Sequence, residues 1–201
     1  MNHAHWILII LWVVYCGVHS FLADIKIKNH IEKIMGSGFI YYRPLYSIFA
    51  AAALAFVLWF QFSIPSPKLL STAIFLYLPG IILSLTGLSI MLICINKYFY
   101  ELSGLQALRN SQKNTLQQSG LHKYVRHPLY LGTLLFIWGL FLIFPLISNL
   151  ICTTIITAYV LIGIQLEEKK LRLEYGEEYI KYAGKVPKII PWIYTIKKGS
   201  V

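Results

Sequence analysis

The chain has 201 residues, of which 57% are hydrophobic and only 13% are charged. Soluble domains carry charge on about a quarter of their residues, so this composition excludes an ordinary soluble protein and indicates one that lies in a bilayer. The net charge of +10 would also suit a nucleic-acid-binding protein, but the basic residues flank apolar segments, which favours contact with membrane lipids and no nucleic acid.

Five apolar segments reach the length of about 17 to 25 residues with which a helix crosses a bilayer. They comprise residues 6–22, 45–62, 70–95, 129–147 and 150–166. The sequence therefore predicts an all-α integral membrane protein with five transmembrane helices. Its three cysteines lie far apart inside these segments, which argues against a disulfide framework and against a metal site.

The basic residues fall almost entirely on one side of the predicted helices. Of the 18 Lys and Arg residues, all but Lys68 lie before the second span, before the fourth span or after the fifth. Because basic connections stay in the cytoplasm, we expect a multi-pass protein with its N-terminus outside and its C-terminus in the cytoplasm. A cleaved signal peptide at residues 6–22 is the alternative, but no Lys or Arg precedes that segment.

The sequence divides into two regions at the end of the third span. Residues 1–95 are expected to form an N-terminal three-helix membrane region. Residues 96–127 keep leucines at near-helical spacing, so the third helix is predicted to continue into the cytoplasm. Only residues 145–149 separate the last two spans, which predicts a tight antiparallel hairpin. The cytoplasmic ends of those two helices should therefore lie together.

Beyond the fifth span, the pattern predicts an amphipathic helix. Apolar and aromatic side chains recur every three or four residues from Leu171 to Tyr182, with Gly176 as a possible break. The prolines within residues 186–192 then exclude a regular helix.

Polar residues crowd the start of the fourth span, within residues 119–132. Pro128 suits the first turn of a helix and pushes His127 toward extended geometry, so the helix should begin at Pro128. The free N–H groups of that turn and the positive end of the helix dipole favour an anion, and Arg126 adds a fixed charge beside them. A carboxylate or a phosphate is the group that such a helix start would bind.

Two adjacent acids, Glu167 and Glu168, leave the fifth span on the same side of the membrane. Carboxylates accept hydrogen bonds from a cationic group such as an ammonium. Tyr124 and Tyr130 offer aromatic faces that suit a sulfonium or a flat purine ring. S-adenosylmethionine carries an ammonium, a sulfonium, a purine ring and a carboxylate, so it matches both polar clusters. The chain has no glycine-rich Rossmann loop, and this cofactor would therefore bind between the helices.

The same residues have a simpler interpretation, which chemistry alone leaves open. Arg126 could be one more cytoplasmic basic residue, and His122 and His127 could merely lie at the membrane interface. Glu167 and Glu168 could form a solvated helix turn that pairs with the basic residues following them. In that case the two polar clusters would not form a common site.

Two ordered motifs resemble a known family. Residues 126–132, with the sequence RHPLYLG, resemble the RHPxYxG signature of the isoprenylcysteine carboxyl methyltransferase family of integral membrane enzymes, which has related phospholipid and thiol methyltransferases. Residues 167–191 resemble that family's EExxL, GxxY, Y and VP pattern. The resemblance covers residues 114–192, while His19 and residues 42–46 more loosely resemble the methanethiol S-methyltransferase branch.

The resemblance implies an S-adenosylmethionine-dependent integral membrane methyltransferase, with residues 96–201 as its cofactor-binding region. The pocket would be cytoplasmic and formed by the connection of helices three and four, the hairpin of helices four and five, and the C-terminal tail. Arg126 and Glu168 would be its catalytic residues. The cofactor-binding residues would be Asn114, Thr115, Leu116, Gln117, His122, Tyr124, His127, Pro128, Leu129, Tyr130 and Glu167.

The methyl acceptor is expected to be a small or lipophilic molecule, either a thiol or an isoprenylcysteine-like carboxylate. Carboxyl methyltransferases of this family carry an arginine one turn before the first glutamate, where this chain has Gly163. A thiol or another neutral acceptor is therefore easier to accommodate than a carboxylate. Deprotonation of a thiol would need a base or a positive charge, for which His19, His127 and Arg126 are the candidates.

The histidines leave a second class of function open. Membrane proteins of similar composition bind haem through histidine side chains, and His19, His122 and His127 could serve as such ligands. The alternative to a methyltransferase is therefore a haem-binding membrane protein or isomerase, and an absorption spectrum with a Soret band would favour it.

Overall fold

The computed structural model describes residues 2–70, 74–103 and 116–191, and these residues form six α-helices without a β-strand. The helices are α1 (His3–Ala23), α2 (Ile25–Met35), α3 (Tyr42–Ser63), α4 (Ile74–Ser103), α5 (Pro128–Ile143) and α6 (Ile147–Ala183). Short 3-10 turns at Gly36–Tyr41 and Gly120–Lys123 join some of them. The predicted all-α class is confirmed.

Within the described ranges, four helical segments are long and apolar enough to cross a membrane. They are His3–Ala23, Pro44–Ser63, Phe75–Lys97 and Ile147–Ala183. The helix at the predicted fourth span, α5, is apolar but has only 16 residues, so it is about 24 Å long, less than the roughly 30 Å of hydrocarbon. It ends at Ile143 because Phe144, with φ −124° and ψ 78°, leaves the helical conformation, as the residue before a proline tends to do. Four of the five predicted spans therefore coincide with helices of sufficient length, and crossing by α5 stays a prediction.

Glycines bring α4 and α5 into close contact. A Cβ atom placed on Gly87 would lie 2.5 Å from the backbone nitrogen of Phe136, and one on Gly132 would lie 2.9 Å from the carbonyl oxygen of Gly87. Gly139 faces Ser84 in the same way. Helices pack this closely in membranes where small residues let the backbones approach. The start of α5 is thereby fixed against α4.

A polar network joins α1, α3 and α6 on the side away from the predicted cytoplasm. Trp12 Nε1 donates a hydrogen bond of 2.9 Å to Oε1 of Gln61, whose Nε2 donates at 2.9 Å to Oδ1 of Asn149. Trp12 is fully buried against Leu8 and Val57. Buried amide groups must be paired in this way, so the network fixes the positions of three helices.

The connections on that side also pair with each other. The N–H of Leu69 donates to the carbonyl of Pro145 at 2.7 Å, and the N–H of Ile147 donates to the carbonyl of Pro67 at 3.2 Å. The predicted tight hairpin between the last two apolar helices is confirmed, since α6 begins four residues after α5 ends. The opposite ends of α5 and α6 therefore lie together, where the polar motifs are.

The long helix α6 has the predicted break. Gly176 adopts φ 51°, a left-handed conformation that glycine alone accepts without strain, and the helix then continues to Ala183. Residues 184–190 form turns, as their prolines predict. This bend lets the tail fold back toward the start of α5.

Candidate active site

The tail pairs with the residues that precede α5. The N–H of Arg126 donates to the carbonyl of Pro187 at 2.9 Å, and the N–H of His127 donates to the carbonyl of Lys188 at 3.1 Å. His127 has φ −123° and ψ 66°, outside the helical region, and Pro128 opens α5 as predicted. The backbone before α5 is therefore held by the tail, and the Arg126 and His127 side chains face α6.

Glu168 lies between two cations in a buried position. Its Oε1 atom is 2.8 Å from Nη2 of Arg126, and its Oε2 atom is 3.1 Å from Nζ of Lys188. The side chains of Arg126 and Glu168 are 8% and 4% exposed. The alternative of a solvated turn is therefore wrong for Glu168, whose partners are 42 and 20 residues distant in the sequence.

His127 lies between the two glutamates. Its Nε2 atom is 3.4 Å from Oε1 of Glu168, and its Nδ1 atom is 3.6 Å from Oε2 of Glu167. Burial lowers the pKa of His127 below its ordinary value, and this effect outweighs the opposite influence of the two carboxylates. The imidazole is therefore neutral at pH 7 and has both a donor and an acceptor nitrogen.

Glu167 differs from its neighbour in its surroundings. Its side chain is 43% exposed, and it accepts a hydrogen bond from Tyr130. Among the residues that the structure describes, no Lys or Arg forms an ion pair with Glu167. A carboxylate flanked by a tyrosine and a neutral histidine can accept hydrogen bonds from an ammonium group.

Two buried polar atoms next to this cluster lack a protein partner. Nε of Arg126 and the hydroxyl of Tyr179 are buried without a hydrogen-bond partner within residues 2–70, 74–103 and 116–191. A buried donor without a partner costs about 1 to 3 kcal/mol. A polar ligand bound beside Arg126 and Tyr179 would satisfy both atoms, so the site has the chemistry that a charged small molecule requires.

The structure brings most of the predicted site residues together. Arg126, His127, Glu167, Glu168 and Tyr130 are linked by the contacts above. Pro128 is buried and Leu129 is half-buried at the start of the same helix. The site is therefore assembled from α5, α6 and the tail.

His122 lies at the edge of the site. Its carbonyl oxygen accepts a hydrogen bond of 2.7 Å from the hydroxyl of Tyr182. Burial lowers the pKa of the imidazole to about 4, and the nearby charge of Lys97 adds to this effect. His122 therefore stays neutral near the site across the physiological pH range.

The remaining predicted residues are less closely connected to the cluster. Leu116 packs against the buried cluster of Tyr179, Tyr182 and Val186, and Gln117 Nε2 donates a hydrogen bond of 2.7 Å to Oγ of Ser119. Tyr124 is 68% exposed. Asn114 and Thr115 lie outside the described residues.

Sequence reasoning missed Lys188 and Tyr179 as site residues. Lys188 contacts Glu168 only because the tail folds back, and the prolines that end the helical pattern were the one available signal. Tyr179 is fully buried and belongs both to the periodic series on α6 and to the GxxY part of the family pattern, but neither signal assigned it a contact with the site.

Comparison with known families decides the class of protein. The family model described as phospholipid methyltransferase matches residues 70–178, more than half of the chain, including the motif at residues 126–132 and the first part of the motif at residues 167–191. The chain belongs to this family. The resemblance to membrane methyltransferases of the isoprenylcysteine carboxyl methyltransferase type is therefore confirmed.

Individual relatives agree with this family. The chain is 27% identical to methanethiol S-methyltransferase 1 of Bradyrhizobium diazoefficiens, over 92% of this chain and 66% of that protein. It is 31% identical to a methanethiol S-methyltransferase of Pseudomonas sp. (strain GM41(2012)), over 90% of this chain and 71% of the relative. Protein-S-isoprenylcysteine O-methyltransferase of Schizosaccharomyces pombe is 33% identical over 45% of this chain and 39% of its own length. No solved structure matches the chain significantly.

These relatives bear on the alternatives that the sequence left open. All three are named as methyltransferases, which favours that class over a haem-binding protein. The chain spans 66% of the length of the Bradyrhizobium protein. The methyl acceptor named for a longer relative is therefore a property of that relative alone.

Proposed function

We propose that this protein is an S-adenosylmethionine-dependent integral membrane methyltransferase that methylates a small thiol. The observation that carries the proposal is the contrast between two adjacent carboxylates. Glu168 is buried and neutralised by Arg126 and Lys188, whereas Glu167 is partly exposed beside His127. One acid thus maintains the site, and the other is available to a cationic ligand.

The residues of the site fit the polar groups of S-adenosylmethionine. Glu167 would accept a hydrogen bond from its ammonium, and Nε of Arg126 would donate one to its carboxylate. The hydroxyl of Tyr179 would pair with another polar group, since it is buried without a partner among the described residues. The Tyr130 ring lies beside His127, with centroids 5.7 Å apart, and offers an aromatic face to the sulfonium.

The cofactor supplies a methyl group bonded to a positively charged sulfur, which is already reactive toward a nucleophile. The chain would therefore contribute chiefly by aligning the acceptor with that methyl group and by excluding water. No covalent enzyme intermediate is required. His127 and Glu168 would hold α5, α6 and the tail in a fixed arrangement during the transfer, because each makes several contacts between these segments.

Two observations support a thiol acceptor over a carboxylate. Gly163 supplies no charge one turn before Glu167, and a Cβ atom placed there would lie 3.8 Å from the hydroxyl of Tyr130. The relatives that align over about nine-tenths of the chain are named methanethiol S-methyltransferases. A thiol needs no opposite charge in its neutral form, so the absence of an arginine side chain at position 163 suits it.

The topology that we propose places this site at the cytoplasmic face. It has five spans including α5, with the N-terminus outside and the C-terminus in the cytoplasm. In this topology all but one of the Lys and Arg residues would lie on the side of the site. A water-soluble cofactor would then enter from the cytoplasm, while a lipophilic acceptor would enter from the bilayer.

Binding to the purified protein tests the donor site. We expect S-adenosylhomocysteine, the demethylated product, to bind the detergent-solubilised wild type with micromolar affinity in calorimetry. Glu167→Gln should weaken binding at least tenfold, whereas Glu174→Gln, an exposed glutamate on the same helix, should not change it. Equal binding by all three proteins would contradict the assignment of Glu167, and no binding to the wild type would contradict the use of this cofactor.

A labelling experiment tests the acceptor class. Membranes containing the protein are incubated with S-adenosylmethionine labelled in its methyl group and with methanethiol, and label is then measured in volatile, lipid and protein fractions. We expect label in the volatile fraction, as dimethyl sulfide. Label that appears instead in an added isoprenylcysteine compound would contradict the thiol proposal.

A further inference from the structure

A second cluster of hydrogen-bonding side chains lies on α1, α3 and α6, outside the proposed donor site. The hydroxyl of Tyr46 lies 3.0 Å from Nδ1 of His19, 3.2 Å from its Nε2 and 3.1 Å from its carbonyl oxygen. A neutral imidazole has one donor and one acceptor nitrogen, and one hydroxyl pairs with only one of them at a time. When the Tyr46 hydroxyl donates to the carbonyl oxygen of His19 and accepts from one ring N–H, it orients the ring and the other ring nitrogen is able to accept a proton.

His19 and Tyr46 close one end of an apolar cleft between α1 and α3. The cleft has a volume of about 160 Å³, roughly the space that five water molecules occupy in the liquid. Its walls are formed by apolar side chains such as Val14, Phe49 and Ala53, and none of the described residues that line it is a Lys, Arg, Asp or Glu. Such a cavity accommodates a small apolar molecule and disfavours a carboxylate, which would lose its hydration without gaining a partner.

Side chains connect this cleft to α6. Ser20 Oγ donates a hydrogen bond of 3.0 Å to the hydroxyl of Tyr159 on α6, and the rings of His19 and Tyr159 are 6.5 Å apart. Glu167 lies eight residues after Tyr159 on the same helix, α6, about 12 Å along its axis. Tyr159 therefore marks the side of α6 on which the cleft approaches the donor site.

Gly163 lies between Tyr159 and Glu167 on α6, one turn after the first and one turn before the second. Among the described residues outside its own helix backbone, a Cβ placed on Gly163 would meet the Tyr130 hydroxyl at 3.8 Å. A larger side chain at this position would therefore extend toward Tyr130 at the start of α5. The small residue thus adds no side chain between the cleft and the donor site.

We propose that the cleft between α1 and α3 binds the thiol acceptor and that His19 is the catalytic base that removes its proton. This inference rests on the proposed function. The S–H proton passes to a ring nitrogen of His19, and the thiolate lone pair forms a new bond to the methyl carbon. The bond from that carbon to the sulfonium breaks, and its electron pair returns to the donor sulfur. The products are a thioether and neutral S-adenosylhomocysteine, and His19 releases its proton to water.

The role of His19 is tested with His19→Gln and with His30→Gln as a control on the exposed face of α2. We expect H19Q to lower kcat/KM for methanethiol at least a hundredfold and H30Q to leave it unchanged. Hydrosulfide is far more ionised than methanethiol at neutral pH, so the H19Q defect should shrink at least tenfold with that acceptor. An equal defect with both acceptors, or none with either, would overturn the role of His19 as a base.

The cleft is tested with Ala53→Phe, which fills it, and Ala51→Phe, which places the same ring on the exposed side of α3. We expect A53F to lower kcat/KM for methanethiol at least tenfold and A51F to leave it within twofold. Calorimetry with S-adenosylhomocysteine separates the two proposals. Unchanged binding of S-adenosylhomocysteine by A53F and H19Q shows that both variants fold. An unchanged kcat/KM in A53F overturns the acceptor cleft. A wild type that does not bind S-adenosylhomocysteine overturns the proposed function.

Discussion

Nη2 of Arg126 lies 2.8 Å from Oε1 of Glu168, and both side chains are almost fully buried. Arg126 precedes α5 and Glu168 lies on α6, so this ion pair fastens the two helices at the end that carries the site. Lys188 joins the same carboxylate from the tail at 3.1 Å, with 51% of its side chain exposed. One buried acid therefore connects three segments that are distant in sequence.

Loss of Glu168 should destabilise the protein more than loss of Arg126. Glu168→Gln leaves Arg126 buried without a counter-charge, so we expect a loss near the upper end of about 3 to 5 kcal/mol. Arg126→Gln should cost less because Lys188 still neutralises Glu168. Lys188→Gln should cost under about 1 kcal/mol, since that side chain is half exposed.

Thermal unfolding in detergent measures this order, with Arg172→Gln on the exposed face of α6 as the control. The double variant of Arg126 and Glu168, both changed to Gln, should lose less stability than the two single variants added together. Additive losses would show that the two side chains are not coupled.

Acid should destabilise the folded protein through His127 and His122. Burial lowers the pKa of His127, and it lowers the pKa of His122 to about 4. Both groups bind a proton more readily in the unfolded chain, where the pKa is about 6.5. Their contribution to stability is therefore complete above about pH 6.5 and is lost as the pH falls toward 4.

The melting temperature measured from pH 8 to pH 4 tests this dependence. The wild type should lose stability progressively below about pH 6.5, and His122→Gln should show a shallower decline than His30→Gln on the exposed α2. The same slope in both variants would mean that His122 does not become protonated on unfolding.

A methyl group at Gly87 should separate α4 from α5. The added Cβ would lie 2.5 Å from the backbone nitrogen of Phe136, which cannot move without displacing α5. We expect Gly87→Ala to cost about 1 to 3 kcal/mol. Gly17→Ala should be neutral or slightly stabilising, because no described residue from outside the helix lies within 4 Å of the new atom. Equal melting temperatures of the two variants would contradict this packing.

Local sequence signals predict those parts of the fold that depend on neighbouring residues. The length of the apolar segments locates four spans, Pro128 marks the start of α5, and Gly176 marks the bend in α6. These features follow from hydrophobicity and backbone geometry, which act over a few residues. By contrast, α2 was not predicted, because its eleven residues lack a continuous apolar run. Its start depends on Asp24, whose carboxylate accepts hydrogen bonds from the first N–H groups of the helix.

The site was only partly predictable for the same physical reason. The motifs identified Arg126, His127 and the two glutamates, but the sequence alone did not pair Glu168 with Lys188. Such pairs require the chain to return to the same place, as do Ser20 and Tyr159, which are 139 residues apart. Distances of this kind depend on how all the helices pack, and no short pattern encodes them.

Position 163 should control which acceptor reaches the donor site. Gly163→Arg would place a long cation between Tyr130 and Tyr159, and we expect at least a tenfold loss in the rate of thiol methylation. Gly163→Ala should have little effect, because its Cβ would lie 3.8 Å from the Tyr130 hydroxyl, an ordinary contact distance. Initial rates with methanethiol, measured beside calorimetry with S-adenosylhomocysteine, separate loss of acceptor access from loss of folding. A G163R protein that binds the product normally and methylates the thiol at the wild-type rate would show that the acceptor takes another route.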